Sequence, residues 1–325
     1  MVALNLIVDG NYLLHRHVHT LHKNNLLFGG LVKSLETALS NYRRWFPFGA
    51  IYFVSDSKRR SWRKDIYGDY KAKRRKPSDI DWDFVFSAYV EFKSTLPHRN
   101  VRLLESDGIE GDDWVSFVVR ESNRRGVSNL IVSNDYDIKQ LLTYSLDPPC
   151  MNFMTNEMAT RQRFFLPANH QLFLDRVRES QSQDVFDLND DGDFLRYISS
   201  VKEKFTVSEV DPVGSMLTKV ISGDSSDNIK SVWSAKTAGG KTIGIGEKGA
   251  QKILERYRSE FGEPALDDPD LTDNIADLIC EAKRLAKSTM PKISSRIRDN
   301  MRLICLDCDN MPSEVQKTMS DGYGK

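Results

Sequence analysis

Cysteine is scarce in this 325-residue chain, with only Cys150, Cys280, Cys305 and Cys308. Four thiols cannot staple a chain of this length, so a disulfide scaffold is excluded and a reduced compartment is expected. Cys305 and Cys308 have a tempting spacing, but no second pair or nearby histidine completes a zinc set, which leaves buried structural thiols. Long apolar runs are missing too: nothing approaches membrane-spanning length. Leu4–Val8 is too short, and lacks the basic flank, for a secretory signal. A cytoplasmic, non-secreted protein without a membrane partner is expected. No Ser–His or Cys–His constellation argues for covalent catalysis. Net charge is also absent, because 46 Lys and Arg offset 46 Asp and Glu. That balance hides segregation, since residues 58–76 carry ten basic residues against Asp65 and Asp69. A neutral total therefore does not exclude a polyanionic partner.

What the chain does contain is ordered. Leu4–Val8, Ala50–Val54, Val101–Leu104 and Leu130–Val132 read as short buried strands. Amphipathic helices are expected over Gly29–Trp45 and Asp83–Thr95. The order β-α-β-α-β-α-β predicts an α/β fold with a mostly parallel sheet and helices on both faces. Three of the strands are followed within two or three residues by Asp9, Asp56 and Asp135. The remaining one leads into an acidic helix that starts at Glu110, Asp112 and Asp113. Carboxylates suit the positive end of that helix. In open parallel sheets the ligand crevice lies outside the carboxyl ends of the strands. Four sequence-distant acidic groups, with Asp137 beside Asp135, are thus expected in one pocket. So much like charge repels itself unless cations fill the site.

Other motifs carry less. His15, His17, His19 and His22 fall on one helical stretch with no carboxylate in register, which reads as a polar face. Asp187, Asn189, Asp191 and Gly192 match half a calcium loop, but Ile198 stands where the bidentate Glu belongs, so a solvated turn is expected. Asp224 and Asp227 follow a helix over Asp211–Ser222, at an end whose dipole disfavours negative charge and so calls for a cation. Gly244-Ile-Gly246 then opens a Lys-rich helix, a pattern that offers backbone N–H groups to a phosphate.

Taken together these motifs resemble the structure-specific 5′-nucleases (flap endonucleases and 5′→3′ exonucleases), most nearly the phage ribonuclease H branch. IVDGN at Asp9 and FVSDSKRRSWRKDIYGDYKAKR at Asp56 resemble its first two motifs. IEGDD, SNDYD and ISGDSSDNI are similar to its remaining acidic motifs, and GIGEKGAQKIL to its helix–hairpin–helix. The matches span residues 4–258 in order. Residues 156–205, and the long link between Asn228 and Thr242, have no counterpart. The resemblance implies a PIN-like nuclease core over residues 1–155 with a basic helical arch at about 58–95. An uncertain insertion or linker at 156–205 follows, then a mainly helical C-terminal region over 206–325 with a DNA clamp at about 240–258.

It further implies metal ligands at Asp9, Asp56, Glu110, Asp112, Asp113, Asp135, Asp137, Asp224 and Asp227, some through water. Two Mg²⁺ ions, replaceable by Mn²⁺, would occupy them. Arg63 and Lys71 would hold the scissile phosphate. Lys58, Arg59, Arg60, Lys73 and Arg74 would contact DNA. Gly244, Gly246, Lys248 and Lys252 would grip duplex with a bound K⁺. Trp62, Tyr67 and Tyr70 either stack on a single strand or pack the arch. The expected activity is Mg²⁺-dependent removal of RNA primers or short 5′ flaps in phage DNA replication, by a monomer in the infected bacterial cell. Its partners would be duplex DNA with a 5′ flap, nick or RNA primer, a single-stranded-DNA-binding protein and a sliding clamp. Gln316-x-x-Met319 faintly resembles a clamp peptide. Two rivals remain open: a non-catalytic branch-point binder of the same fold, and a small-molecule phosphatase with no use for arch or hairpin.

Overall fold

A computed structural model describes residues 4–45, 48–74, 77–156, 163–181, 198 and 204–324. The chain divides into two units. The first comprises Met1–Ser61, Lys76–Val210 and Pro312–Lys325; the second comprises Trp62–Arg75 and Asp211–Met311.

The first unit is built on an eight-stranded sheet in the order β3-β2-β1-β4-β6-β7-β8, with β5 paired to β6. Its strands are β1 (Leu4–Asp9), β2 (Ile51–Val54), β3 (Arg102–Leu104), β4 (Ser128–Val132), β5 (Tyr144–Leu146), β6 (Pro149–Thr155), β7 (Arg163–Pro167) and β8 (Thr206–Val210). β3, β2, β1, β4 and β6 run parallel, while β7 pairs antiparallel to β6 and β8 parallel to β7. Continuous burial of β2 and β4 explains the unbroken apolar sequence of β2 and the Leu130–Val132 run of β4, as in sheets covered on both faces. The sheet is flanked by α1 (Gly10–Lys23), α2 (Leu27–Arg43), α4 (Trp82–Thr95), α5 (Gly111–Asn123), α6 (His170–Gln181) and the last helix, α11 (Ser313–Tyr323).

Gly10 lets α1 leave β1 abruptly. A Cβ there would lie 2.3 Å from the Tyr89 hydroxyl and 2.6 Å from the Val54 carbonyl, so no larger residue fits. The register then aligns the strand ends: Asp9 faces Val54, Val8 faces Val132, and Val54 faces Leu104. α1 carries the histidines. His15 packs against Trp82 and His19, and His17 Nδ1 lies 2.6 Å from Ser34 Oγ. Among the described residues no histidine enters a metal-ligating group.

α11 closes on its own unit. Met319 is buried, Tyr323 stacks on Tyr52 with ring centres 5.7 Å apart, and their hydroxyls lie 3.1 Å apart. Of the residues that resemble a clamp peptide, Met319 is buried and Gln316 half-buried.

The second unit holds α3 (Arg63–Ile66), α7 (Pro212–Ser222), a β9–β10 hairpin (Ser234–Lys236 and Thr242–Gly244), α8 (Glu247–Phe261), α9 (Leu271–Ala282) and α10 (Met290–Ile304). Its core joins Leu217, Val220, Leu254, Ile279 and Ile297 with Tyr70. Cys280 and Cys305 are buried free thiols in that core, and Cys150 is one in the first unit. The half calcium loop at 187–192 lies outside the described residues. No helix among the described residues is long and apolar enough to cross a membrane.

Candidate metal and nucleic-acid site

At the carboxyl ends of β3, β2, β1 and β4 the first unit gathers its acids, and each is held by a local hydrogen bond. Asp9 caps α1, accepting from the Tyr12 amide at 3.0 Å, and its other oxygen accepts from Ser133 Oγ at 2.7 Å. Ser133 therefore ties the end of β4 to the end of β1. Its hydroxyl also receives the Asp135 amide at 3.0 Å, and Asp135 in turn accepts from the Asp137 amide at 2.9 Å. Asp56, two residues past β2, accepts from the Gly111 amide at 2.6 Å. A Cβ on Gly111 would sit 3.3 Å from that carboxylate and 3.8 Å from Asn11 Nδ2, so the start of α5 and the loop after β2 meet closely.

Glu110 caps α5 in a reciprocal box. Its carboxylate takes the Asp113 amide, and Asp113 takes the Glu110 amide at 3.0 Å. Asp112 accepts the Asp113 amide at 2.8 Å. Asp113 is fully buried while Asp112 is half-buried and Asp135 exposed, so the set runs from a buried floor to an open rim. Burial pushes the Asp9 carboxyl up to about 7 against the hydrogen bonds from Tyr12 and Ser133, and the negative charges of Asp135 and Asp56 add to the rise. Mutual repulsion at a polar, oxygen-only pocket is the electrostatic signature of a site suited to a hard divalent cation. Ser133, Asn11 and the Gly111 amide were not singled out in the sequence. Only the SNDYD and DGN motifs point to the two side chains, and nothing in a sequence announces a backbone donor.

In the second unit, Asp224 and Asp227 follow α7 through Gly223. That glycine has φ of +78°, and a Cβ would lie 2.5 Å from the Ser231 amide nitrogen. Two cationic side chains stand beside these acids. Lys219 Nζ lies 2.7 Å from Asp224, and Arg74 pairs with Asp227. Burial raises the Asp224 carboxyl, but hydrogen bonds from Lys219 and Ser226 outweigh it and hold the group below the usual range.

The basic segment divides between the units. Lys58, Arg59 and Arg60 end the first portion as exposed residues, with Arg59 paired to Asp107 at 2.9 Å. In the second unit Trp62 and Tyr70 are buried, and the Tyr67 hydroxyl donates to the Asn228 carbonyl at 3.3 Å, so these aromatics pack rather than stand free. Arg63 is buried as well: its guanidinium lies over the Trp62 ring, and Nε donates to the Leu303 carbonyl at 2.9 Å. Lys71 has the left-handed φ of +54°, uncommon for a side-chain-bearing residue, and its amide donates to the Asp227 carbonyl at 2.9 Å. Lys73 is exposed. Beyond the hairpin, Ile245 is buried between exposed Gly244 and Gly246, and Gly246 caps α8, from which Lys248 and Lys252 stand exposed.

The fold and its strand ends define an α/β domain that gathers acids at the carboxyl ends of four parallel strands of a mostly parallel sheet. Residues 4–165 match the family model of the 5′-3′ exonuclease N-terminal resolvase-like domain. A DNA polymerase I of Chloroflexus aurantiacus is 24% identical over 263 residues, 78% of this chain and 22% of that one. A 5′-3′ exonuclease of Mycoplasmopsis pulmonis is 24% identical over 256 residues, 78% of this chain and 67% of its own length. This chain thus spans under a quarter of the polymerase it matches. In fold it is similar to the bacteriophage T5 flap endonuclease, solved as a pseudo-enzyme–product complex with DNA and metal ions. That likeness has a TM-score of 0.58 at 15% identity and covers 99% of this chain and 97% of that one. The chain belongs to the 5′-3′ exonuclease/flap endonuclease superfamily.

Proposed function

We propose that this chain is a Mg²⁺-dependent 5′-nuclease that removes RNA primers or short 5′ flaps from duplex DNA during phage replication. The observation that carries the reading is the set of carboxylates at the ends of four adjacent parallel strands, where burial, with the charges of Asp135 and Asp56 adding to it, lifts Asp9 to about 7. Superfamily membership and the metal- and DNA-bound state of the T5 neighbour support it.

Asp9, Asp56, Glu110, Asp112, Asp135 and Asp137 would hold divalent ions in the first unit, with Asp113 bracing the start of α5. Such ions activate water, neutralise the dianionic transition state and stabilise the leaving oxygen. The chain's own task is orientation. Ser133, the Gly111 amide and the Asp137 amide fix one oxygen each of Asp9, Asp56 and Asp135, so ligands are aimed before any cation arrives. In the second unit, Lys71 would contact the phosphate under attack, and buried Arg63 would position the segment that carries it. Lys58, Arg60, Lys73 and Arg74 would follow the strand. Asp224 and Asp227, already neutralised by Lys219 and Arg74, would reach a cation only through water. Gly244, Gly246, Lys248 and Lys252 would grip the uncut duplex with the help of K⁺.

A 5′-labelled flap, a primer–template with an RNA 5′ end and a blunt duplex, each incubated with Mg²⁺, test the reading. The first two should be shortened from the 5′ side, leaving 5′-phosphates, and chelation should stop the reaction. Tight flap binding without cleavage in either Mg²⁺ or Mn²⁺ would instead make the protein a branch-point binder.

Stability should report the same pocket without any turnover. The folded-state value of Asp9 lies above its unfolded value of 3.8, so its protonated form favours the fold. That contribution is full below the unfolded value and is lost as pH rises through about 7. The metal-free loss is on the order of 4 kcal/mol before solvent access at the pocket mouth discounts it. Melting temperature should therefore fall between about pH 5 and about pH 8. Mg²⁺ or Ca²⁺ should restore it at the upper end and change little at the lower, and Asp9→Asn should flatten both responses. Equal stabilisation by Mg²⁺ at both pH values would detach the cation from this pocket.

For the clamp, Lys248→Ala with Lys252→Ala should weaken duplex binding and reduce its salt slope by about one unit per lost phosphate contact. Turnover of bound substrate should stay near normal. A rate that saturating substrate cannot restore would mean these lysines do more than hold DNA.

A further inference from the structure

The link between Asn228 and Thr242, which has no counterpart in the family motifs, is a formed hairpin. β9 and β10 pair antiparallel with Lys236 opposite Thr242 and Ser234 opposite Gly244. The turn is closed by the Thr237 amide on the Lys241 carbonyl at 2.8 Å, the Gly240 amide on the Thr237 carbonyl at 2.9 Å, and the Lys241 amide on Thr237 Oγ1 at 3.1 Å. Its base is anchored. Ser231 Oγ donates to the Ile221 carbonyl at 3.1 Å and accepts the Ile245 amide at 3.0 Å, while the Val232 amide bonds Ile221 at 3.1 Å. Lys283 lies over half-buried Trp233. From Lys236 to Gly244 every residue is exposed, so the tip packs on nothing in its own unit.

Its charge is one-sided. Between Asp227 and Glu247 the chain has Lys230, Lys236 and Lys241 and no acid at all. None of the three has a carboxylate partner among the described residues, whereas Arg256, Arg258 and Arg298 on the second unit's helices each pair with a carboxylate. Strand alternation puts Lys236 with Thr242 on one face and Lys241 with Ile243 on the other. The hairpin feeds directly into Gly244 and Gly246, the start of the duplex clamp. A well-hydrogen-bonded, exposed finger whose only charges are cationic suits a polyanion, because Ile243 is its one large exposed apolar side chain and it has no acids to repel phosphates.

We propose that this hairpin is an additional duplex-contacting finger that extends the clamp along the DNA backbone through Lys236 and Lys241. The inference rests on the nuclease reading above. Three-residue strands reach ~10 Å, roughly three base-pair steps along the duplex axis, so the finger engages only when the duplex arm is long enough. Binding is then length-dependent in a way that the lysines of α8 alone do not produce.

The test is a set of flap substrates with each duplex arm stepped in turn from about 8 to about 20 base pairs, bound in Ca²⁺ by wild type, Lys236→Ala/Lys241→Ala and Lys236→Arg/Lys241→Arg. Wild type should tighten stepwise as one arm passes a threshold. The alanine pair should lose that step, binding the longest arm about tenfold more weakly with a salt slope smaller by about two, and the arginine pair should keep it. Cleavage at saturating short-arm substrate should be the same for all three. If wild type binds and cuts flaps but the alanine pair follows its length series and salt slope, the finger proposal is overturned and the nuclease reading stands. If wild type neither binds nor cuts any flap, both fall.

Discussion

Asp135→Asn or Asp112→Asn is expected to lower single-turnover flap cleavage roughly a thousandfold or more, the scale of disabling metal-assisted charge stabilisation. Neither change should unfold the protein. Asp135 accepts the Asp137 amide and Asp112 accepts the Asp113 amide through one carboxylate oxygen, and an asparagine Oδ1 can keep either bond. Each substitution also removes a negative charge from a pocket where Asp135 already pushes Asp9 upward. The metal-free variants should therefore melt at or slightly above the wild-type temperature while losing activity. Cleavage within a few-fold of wild type by either variant would end the assignment of these carboxylates. A collapsed melting temperature would show instead that the local hydrogen bonds matter more than the charge.

Lys71→Ala is expected to slow single-turnover cleavage about a hundredfold while weakening flap binding only slightly, since a cation facing the attacked phosphate acts where charge grows. Alanine keeps the Cβ, so the left-handed backbone at this position is strained equally in both proteins. Arg63 should behave differently. Its guanidinium is buried against Trp62 and the Leu303 carbonyl, so Arg63→Ala should first cost stability, by ~2–4 kcal/mol for a lost buried charge contact and cavity. Activity should follow the folded fraction. Melting curves beside single-turnover rates separate the two. A surface-like Lys71→Ala, with a small affinity loss that added salt mimics, would reduce the segment to a charged loop. A free 5′ end is a further requirement of the arch reading, and a bulky protein bound there before the enzyme should suppress cleavage.

The acidic pocket was legible because its members follow short, fully buried strands whose apolar runs stand out from flanking polar sequence. β1, β2 and β4 are of this kind, and Asp9, Asp56 and Asp135 follow them directly. The far half of the sheet was not legible. β6 interrupts its apolar run with Asn152, which is buried only because Asn129 on β4 donates to it at 2.7 Å. β8, with the sequence TVSEV, is an edge strand whose exposure erases the apolar signal. The destination of the C-terminal helix was equally hidden. α11 is polar for most of its length, and its attachment depends on Met319, on Tyr323 against Tyr52, and on Gly322 approaching the Trp114 ring, with 3.0 Å left for a Cβ. The basic segment was legible only in its composition. Of its two readings for the aromatics, packing is the one seen: Trp62, Arg63 and Tyr70 are buried, with Tyr70 in the core of the second unit, because long cationic and aromatic side chains can bury their bodies while neighbouring lysines stay wet.

The most direct test of the central claim is a metal-switch experiment on one 5′-labelled flap. Protein and flap are mixed in Ca²⁺, then excess Mg²⁺ is added, and product is followed through a single turnover for wild type and Asp112→Asn. The account predicts a stable complex in Ca²⁺ with little cleavage, because Ca²⁺ geometry positions water poorly, followed by rapid release of the labelled 5′ segment by wild type alone once Mg²⁺ arrives. Equal product from both proteins, or cleavage that proceeds unchanged in chelator, would contradict it.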